Sequence, residues 1–82
     1  MSAKSATIRA IYAQVAAPPW AAPNLDGLTD VLRDLSWLPE GPVLIIVPDL
    51  GALSAGDHAA LCQVLADAVE ESSRSPRPVR IQ

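Results

Sequence analysis

Few side chains of this sequence are placed to do covalent chemistry. Cys62 follows His58 by four residues, which on a helix sets a thiol and an imidazole on one side, the minimal pairing for nucleophilic catalysis. No glycine-rich loop accompanies them to hold an oxyanion. His58 falls in the exposed first turn of the helix expected there, and Cys62 lies beside its apolar stripe. A structural role is expected for both, and no catalytic residue is assigned. Asp57, His58 and Cys62 are three possible metal donors, but the first two are adjacent and diverge, and neither a CxxC nor an HxxxH pattern occurs. Gly27, Gly41, Gly51 and Gly56 are isolated and form no phosphate-cradling loop. Neither metal nor cofactor is expected, and the chain is not expected to be an enzyme.

The remaining candidates are carboxylates. Asp26 and Asp30 are four residues apart, so on a helix they share one side, about 6 Å apart along the axis. Like charges at this spacing cost a helix a little stability. Asp26 has a structural excuse, because a carboxylate near a helix N-terminus is favoured by the helix dipole. Asp30 sits one turn further in, where that compensation fades, although Arg33 at i+3 is placed to neutralise it. From spacing alone the pair is either a solvated face or two anions offered to a cationic partner.

Charge placement bears on that choice. The net charge is −3, yet all nine acids lie between residues 21 and 71, where Arg33 is the one base, for a formal −8 over that span. Lys4, Arg9, Arg74, Arg77 and Arg80 flank it. Such a body speeds encounter with cationic partners and argues against direct nucleic-acid binding, which needs a basic face. The 82 residues are enough for one small domain, over 1–82. Half the residues are apolar, but 14 are alanine and none is phenylalanine, so the bulky core must come from Leu, Ile, Val, Trp20, Trp37 and Tyr12. No apolar run reaches membrane-spanning length, and no membrane partner is expected. A single cysteine excludes a disulfide framework within the chain and points to a reducing compartment. Lys4 and Arg9 precede a modestly apolar stretch, Ala10 to Ala17, that loosely mimics a secretory signal. Tyr12 and Gln14 interrupt it, and an amphipathic helix accounts for it better.

The elements that would position these residues can be read from period and punctuation. Ser5 is the expected cap of a helix over 5–17 with Ile8, Ile11, Tyr12 and Val15 on its apolar side, stopped by Pro18-Pro19. Asn24 caps a second helix, 24–35, with a stripe of Leu25, Leu28, Leu32 and Leu35; Asp26, Thr29, Asp30 and Arg33 face outward. Trp37 is expected to cover the end of the core. Residues 42–47, Pro-Val-Leu-Ile-Ile-Val, form a continuous β-branched run that predicts a strand buried on both faces of a parallel sheet. Ser54 caps a third helix, 54–72, with Asp57 completing an approximate capping box and Leu61, Val64, Leu65, Ala68 and Val69 as its stripe. It is expected to fray around Ser72. A last short strand follows at 78–82, closing a βαβ unit. An acyl carrier is a further candidate for an acidic domain of this size. However, Leu53-Ser54-Ala55 lacks the aspartate that precedes a carrier's prosthetic serine, and the run at 42–47 does not suit a four-helix fold.

The phrase Asn24-Leu25-Asp26-Gly27-Leu28-Thr29-Asp30-Val31-Leu32, followed by Arg33-Asp34-Leu35-Ser36-Trp37-Leu38-Pro39, resembles the barstar family of ribonuclease inhibitors. The match is densest over 18–47. The resemblance implies an α/β fold, a small parallel sheet of two or three strands packed against three helices. It implies a protein inhibitor, kept in the producer's cytoplasm, of a small secreted guanyl-type ribonuclease related to barnase, in an immunity role like that of an antitoxin. It assigns Asp30 as the mimic of a substrate phosphate, Asp26 as a second acidic contact, and Trp20 and Asn24 as loop contacts or organisers. Thr29 and Arg33 flank them, and Glu70 or Glu71 supplies a further acidic contact. The sequence departs from the family in having only Met1 to Lys4 ahead of the first helix, where a β-strand is usual. An edge of strand 42–47 would then be open to a second copy. The alternative function is accordingly a barstar-like adaptor that binds a non-nuclease protein or self-associates.

Overall fold

The structure, a computed structural model, describes residues 3–47 and 50–82. Three helices, α1 (Ala3–Val15), α2 (Leu25–Asp34) and α3 (Ala55–Ser72), and two strands, β1 (Val43–Ile45) and β2 (Val79–Ile81), follow one another as α1, α2, β1, α3, β2. The strands pair in parallel, with Val43 opposite Val79 and Ile45 opposite Ile81. This is the α/β architecture the sequence predicts, with two strands.

Local chemistry explains most element ends. α1 starts at Ala3, so Ser5 lies inside the helix instead of capping it. α1 also stops two residues before 17, because Ala16 turns into the left-handed region (φ 51°) and the Ala17 N–H bonds back to the Tyr12 carbonyl at 3.0 Å. That backbone reversal precedes the prolines that were expected to end the helix. α2 begins as read: the Asn24 side chain accepts from the Gly27 N–H at 2.7 Å, satisfying one of the orphan donors of the first turn. It ends at Leu35, also left-handed (φ 52°). Ser54 Oγ caps α3 by accepting from the Asp57 N–H at 3.2 Å. Gly41, at φ 132°, makes the turn into β1 in a conformation that side chains rarely adopt.

One core joins these elements: Ile8, Ile11 and Val15 from α1; Leu28, Val31, Leu32 and Leu35 from α2 and its cap; Ile45; Leu61, Leu65 and Ala68 from α3; and Val79. Val31 belongs to it, whereas Leu25 is only half-buried, because positions 28, 31, 32 and 35 are the ones that share a face at helical period. On α3, Val69 stays 37% exposed at the margin of the stripe. Trp37 covers the end of the core and donates its indole N–H to the Val15 carbonyl at 2.9 Å.

Two expectations need correction. The run 42–47 is not buried on both faces: Ile45 is fully buried, but Leu44 is 53% and Ile46 58% exposed. Helices cover only one face of this two-stranded sheet, so side chains alternate between core and solvent. Its continuous apolar character, not its period, misled the prediction. Nor does α3 fray at Ser72. That side chain is buried, and its Oγ accepts from the Val79 N–H at 2.8 Å, tying α3 to β2. Pro48 and Asp49, which were read as the end of the strand and the start of a loop, lie outside the described residues.

Candidate functional site

The acidic pair sits on the outer face of α2, opposite the stripe that anchors the helix. Asp26 and Asp30 are both exposed, and among the described residues neither side chain is engaged in a hydrogen bond or ion pair. Their oxygens are accessible to a visitor. The helix that carries them is held from below by Leu28, Val31 and Leu32, so the carboxylates are presented by a backbone that is already ordered.

The segment before α2 is pinned to the same helix. The Tyr12 hydroxyl, from α1, donates to the Ala22 carbonyl at 2.6 Å. The Ala22 carbonyl then lies so close to Gly27 that a Cβ there would overlap it, and that Cβ would also stand 2.9 Å from Tyr12 Oη. Gly27 is thus the position that lets loop 18–24 rest on the first turn of α2. Replacing it with alanine would improve intrinsic helix propensity by about 1 kcal/mol. The overlap is with backbone and cannot be relieved by a rotamer change. Gly27→Ala should therefore lower the melting temperature in a thermal scan despite that gain, with the loop displaced.

The sequence pattern places Tyr12 in an apolar stripe and does not show the loop clamp; the signal it does hold is that a phenol on a core-facing helix side needs a partner for its hydroxyl. Burial, and then the negative charge of Asp30, push its ionisation above the ordinary tyrosine value of 10.0. The folded state therefore holds this proton more tightly than the unfolded chain does. The clamp's contribution is complete below the ordinary tyrosine range and is lost as pH rises through the elevated folded-state value. Tyr12→Phe should lack that alkaline component in melting experiments carried above the ordinary tyrosine value of 10.0.

Arg33 does not pair with Asp30 as its i+3 spacing suggested. Its Nε and Nη2 reach across to Glu71 on α3, at 3.3 Å each, forming a two-pronged bridge between the helices. The hydrogen bonds to Glu71, then that residue's charge, raise the guanidinium's affinity for its proton still further, with Asp30 and Asp67 adding to the effect. The bridge spans a cleft with Leu32 and Ala68 among its lining. A planar fork finds better geometry in a carboxylate on the neighbouring helix than in one on its own.

The other predicted residues fall as follows. Trp20 is 62% exposed in the pinned loop. The Asn24 side chain is used as the helix cap. Thr29 does not face outward: it is half-buried, lines the α2–α3 cleft, and donates to the Leu25 carbonyl at 3.0 Å. Glu71 is brought to α2 by Arg33, whereas the side chain of Glu70 forms no such bond. Asp67, which was not singled out, joins the same electrostatic neighbourhood, and its position four residues before Glu71 was the usable signal. Cys62 Sγ and His58 Nδ1 approach to 3.7 Å at the surface of α3. Among the described residues no cluster of three or more His, Cys, Asp or Glu could hold a metal ion, and no helix is long and apolar enough to cross a membrane.

A small α/β domain that offers free carboxylates on a rigid helix, beside a loop carrying an exposed tryptophan, has the makings of a protein-binding module. All of residues 1–82 match the family model described as Barstar (barnase inhibitor), and the chain belongs to the barstar family. That family is one of barnase-type ribonuclease inhibitors. No curated protein and no solved structure matches the chain.

Proposed function

We propose that this protein inhibits a small secreted guanyl-type ribonuclease by placing α2 and loop 18–24 over the enzyme's active site. Asp30 takes the place of a substrate phosphate and Asp26 adds a second carboxylate one turn earlier. Trp20 supplies an aromatic contact, and Asn24 fixes the start of the helix. Glu71 contributes from α3, held in place by Arg33. The inhibitor performs no reaction and stays in the cytoplasm of the cell that exports the nuclease.

The observation that carries this reading is that Asp26 and Asp30 have no partners among the described residues although they stand on a well-anchored helix. A ribonuclease must bind phosphates, so its cleft is lined with cationic groups. A carboxylate entering that cleft accepts charge-assisted hydrogen bonds, often two from one arginine. Because the helix is already folded, less ordering entropy opposes binding than for a flexible RNA strand.

The test is to titrate a barnase-type nuclease from the same organism with the purified protein. Activity should fall to zero at one equivalent, and association should slow as salt is raised from about 50 to 500 mM, since steering between unlike charges is screened over such a range. Full nuclease activity at micromolar inhibitor and low salt would rule the reading out. The adaptor alternative keeps one specific observation in its favour, the outer edge of β1, which among the described residues only the Gln14 side chain partly covers.

A further inference from the structure

A two-stranded sheet has two free edges, and in this protein they are treated differently. The Val43 N–H donates to the Pro78 carbonyl at 2.8 Å, and the Gln82 N–H to the Ile45 carbonyl at 2.9 Å. The parallel ladder therefore uses the odd-numbered residues of β1, and the backbone groups of Leu44 and Ile46 point away from β2. On the far edge of β2, Ser72 accepts from the Val79 N–H. On the far edge of β1 stands Gln14 of α1. Its carboxamide reproduces a peptide group: Oε1 accepts from the Ile46 N–H and Nε2 donates to the Ile46 carbonyl, both at 2.8 Å. A residue of a neighbouring antiparallel strand exchanges the same pair of bonds. Among the described residues nothing gives Leu44 such cover, and an open groove of about 300 Å³ beside it is lined by Gln14, Leu38, Glu40, Pro42 and Leu44 among others.

We propose that this edge docks β1 of a second copy of the chain, antiparallel and centred on Ile45, and that Gln14 is the plug that swings aside to admit it. Self-pairing fits the groups on offer. Setting Leu44 against Ile46 of the second copy, and Ile46 against its Leu44, satisfies both N–H and both carbonyl groups of each edge in four bonds. Pro42 and Pro48 have no N–H to donate, so a longer foreign strand gains little beyond this. The same two-fold operation brings the exposed Leu44 and Ile46 side chains of both copies into one apolar strip on the uncovered face. Residues 42–47 carry no charge, so the pairing strands themselves do not repel; Glu40 in the groove and Arg80 opposite Leu44 are the nearest charges. Edges left this way are ready templates for another strand unless something blunts them, and Gln14 blunts half of this one. The contact is small, well under the roughly 1,200 Å² of stable interfaces, so pairing depends on concentration.

The experiment is sedimentation velocity on the full chain from about 10 µM to 1 mM, with amide spectra over the same range. The native protein should show a weak monomer–dimer equilibrium, with the Leu44 and Ile46 amides shifting as concentration rises. Gln14→Ala frees the Ile46 groups of both copies, two bonds in each, and should tighten the dimer about thirtyfold, the worth of four weak hydrogen bonds. Adding Leu44→Lys and Ile46→Lys to that variant should restore the monomer. Both side chains are largely exposed, so the melting temperature reports whether the fold survives. A Gln14→Ala protein that stays monomeric at the top concentration overturns the proposal. So does association that persists in the lysine variant, or an edge that takes only a strand of another protein. The edge does not include Asp26 or Asp30, so its failure leaves the inhibitor reading standing.

Discussion

Asp30→Ala should cost the complex with a barnase-type nuclease about 3–5 kcal/mol, the loss expected when one member of a buried ion pair is removed. In affinity that is roughly a hundred- to several-thousand-fold. Most of the cost would come from the nuclease: its cationic groups would remain desolvated in the interface with nothing to neutralise them. The melting temperature of the free inhibitor should hardly change. Asp30 is exposed and forms no bond among the described residues, alanine is a better helix former than aspartate, and the substitution relieves the repulsion with Asp26 at i−4. Asp26→Ala should weaken binding less. It should also cost some stability, because Asp26 lies in the first turn of α2, where its charge favours the helix dipole. Calorimetric titration of both variants, alongside thermal scans, separates the two effects. If Asp30→Ala binds within threefold of the native protein, the phosphate-mimic role is wrong and the adaptor alternative gains.

Leu28→Ala should do the opposite: unfold the protein while sparing the site. Leu28 is fully buried on the core face of α2, between the turns that carry Asp26 and Asp30. Truncating a buried leucine costs about 2–5 kcal/mol, part lost transfer energy and part the cavity left behind. A domain of this size has a thin margin, and each kcal/mol moves its melting temperature by roughly 4–8 °C. A fall of more than about 10 °C is expected on those figures. Because binding draws unfolded molecules back into the folded form, the inhibitor curve should keep its amplitude while its midpoint moves to higher concentration by the inverse of the folded fraction. A scan showing a drop below about 3 °C would mean that the core repacks around the gap. It would then be α3, not Leu28, that holds α2 in place.

The two substitutions lie two residues apart and act on different properties because a helix separates its faces. That separation is legible in the sequence. Leucines at 3.6-residue spacing marked the inner side of α2, and the aspartates had to lie elsewhere. The Asn24 and Ser54 caps were equally legible, since a cap bonds to a backbone N–H three residues on. Composition alone misrepresented β1. An unbroken β-branched run suits a strand with both faces covered, and whether both are covered depends on how many helices reach the sheet.

What the sequence determined by itself was therefore local: where α2 and α3 begin, which helix faces are apolar, that a strand lies within 42–47, where β1 occupies Val43–Ile45, and that two carboxylates ride together on α2. Backbone geometry and the packing of near neighbours decide all of these within a few residues. Tertiary structure alone decided who meets whom across the chain. Tyr12 clamps Ala22 ten residues on, Gln14 plugs Ile46 at a separation of 32, and Arg33 forks onto Glu71 at 38 instead of turning to the nearer Asp30. A long polar side chain has many partners within reach of its own helix, all weakly bound in water. Which one it takes depends on where folding brings the distant ones, and no period in the sequence encodes that.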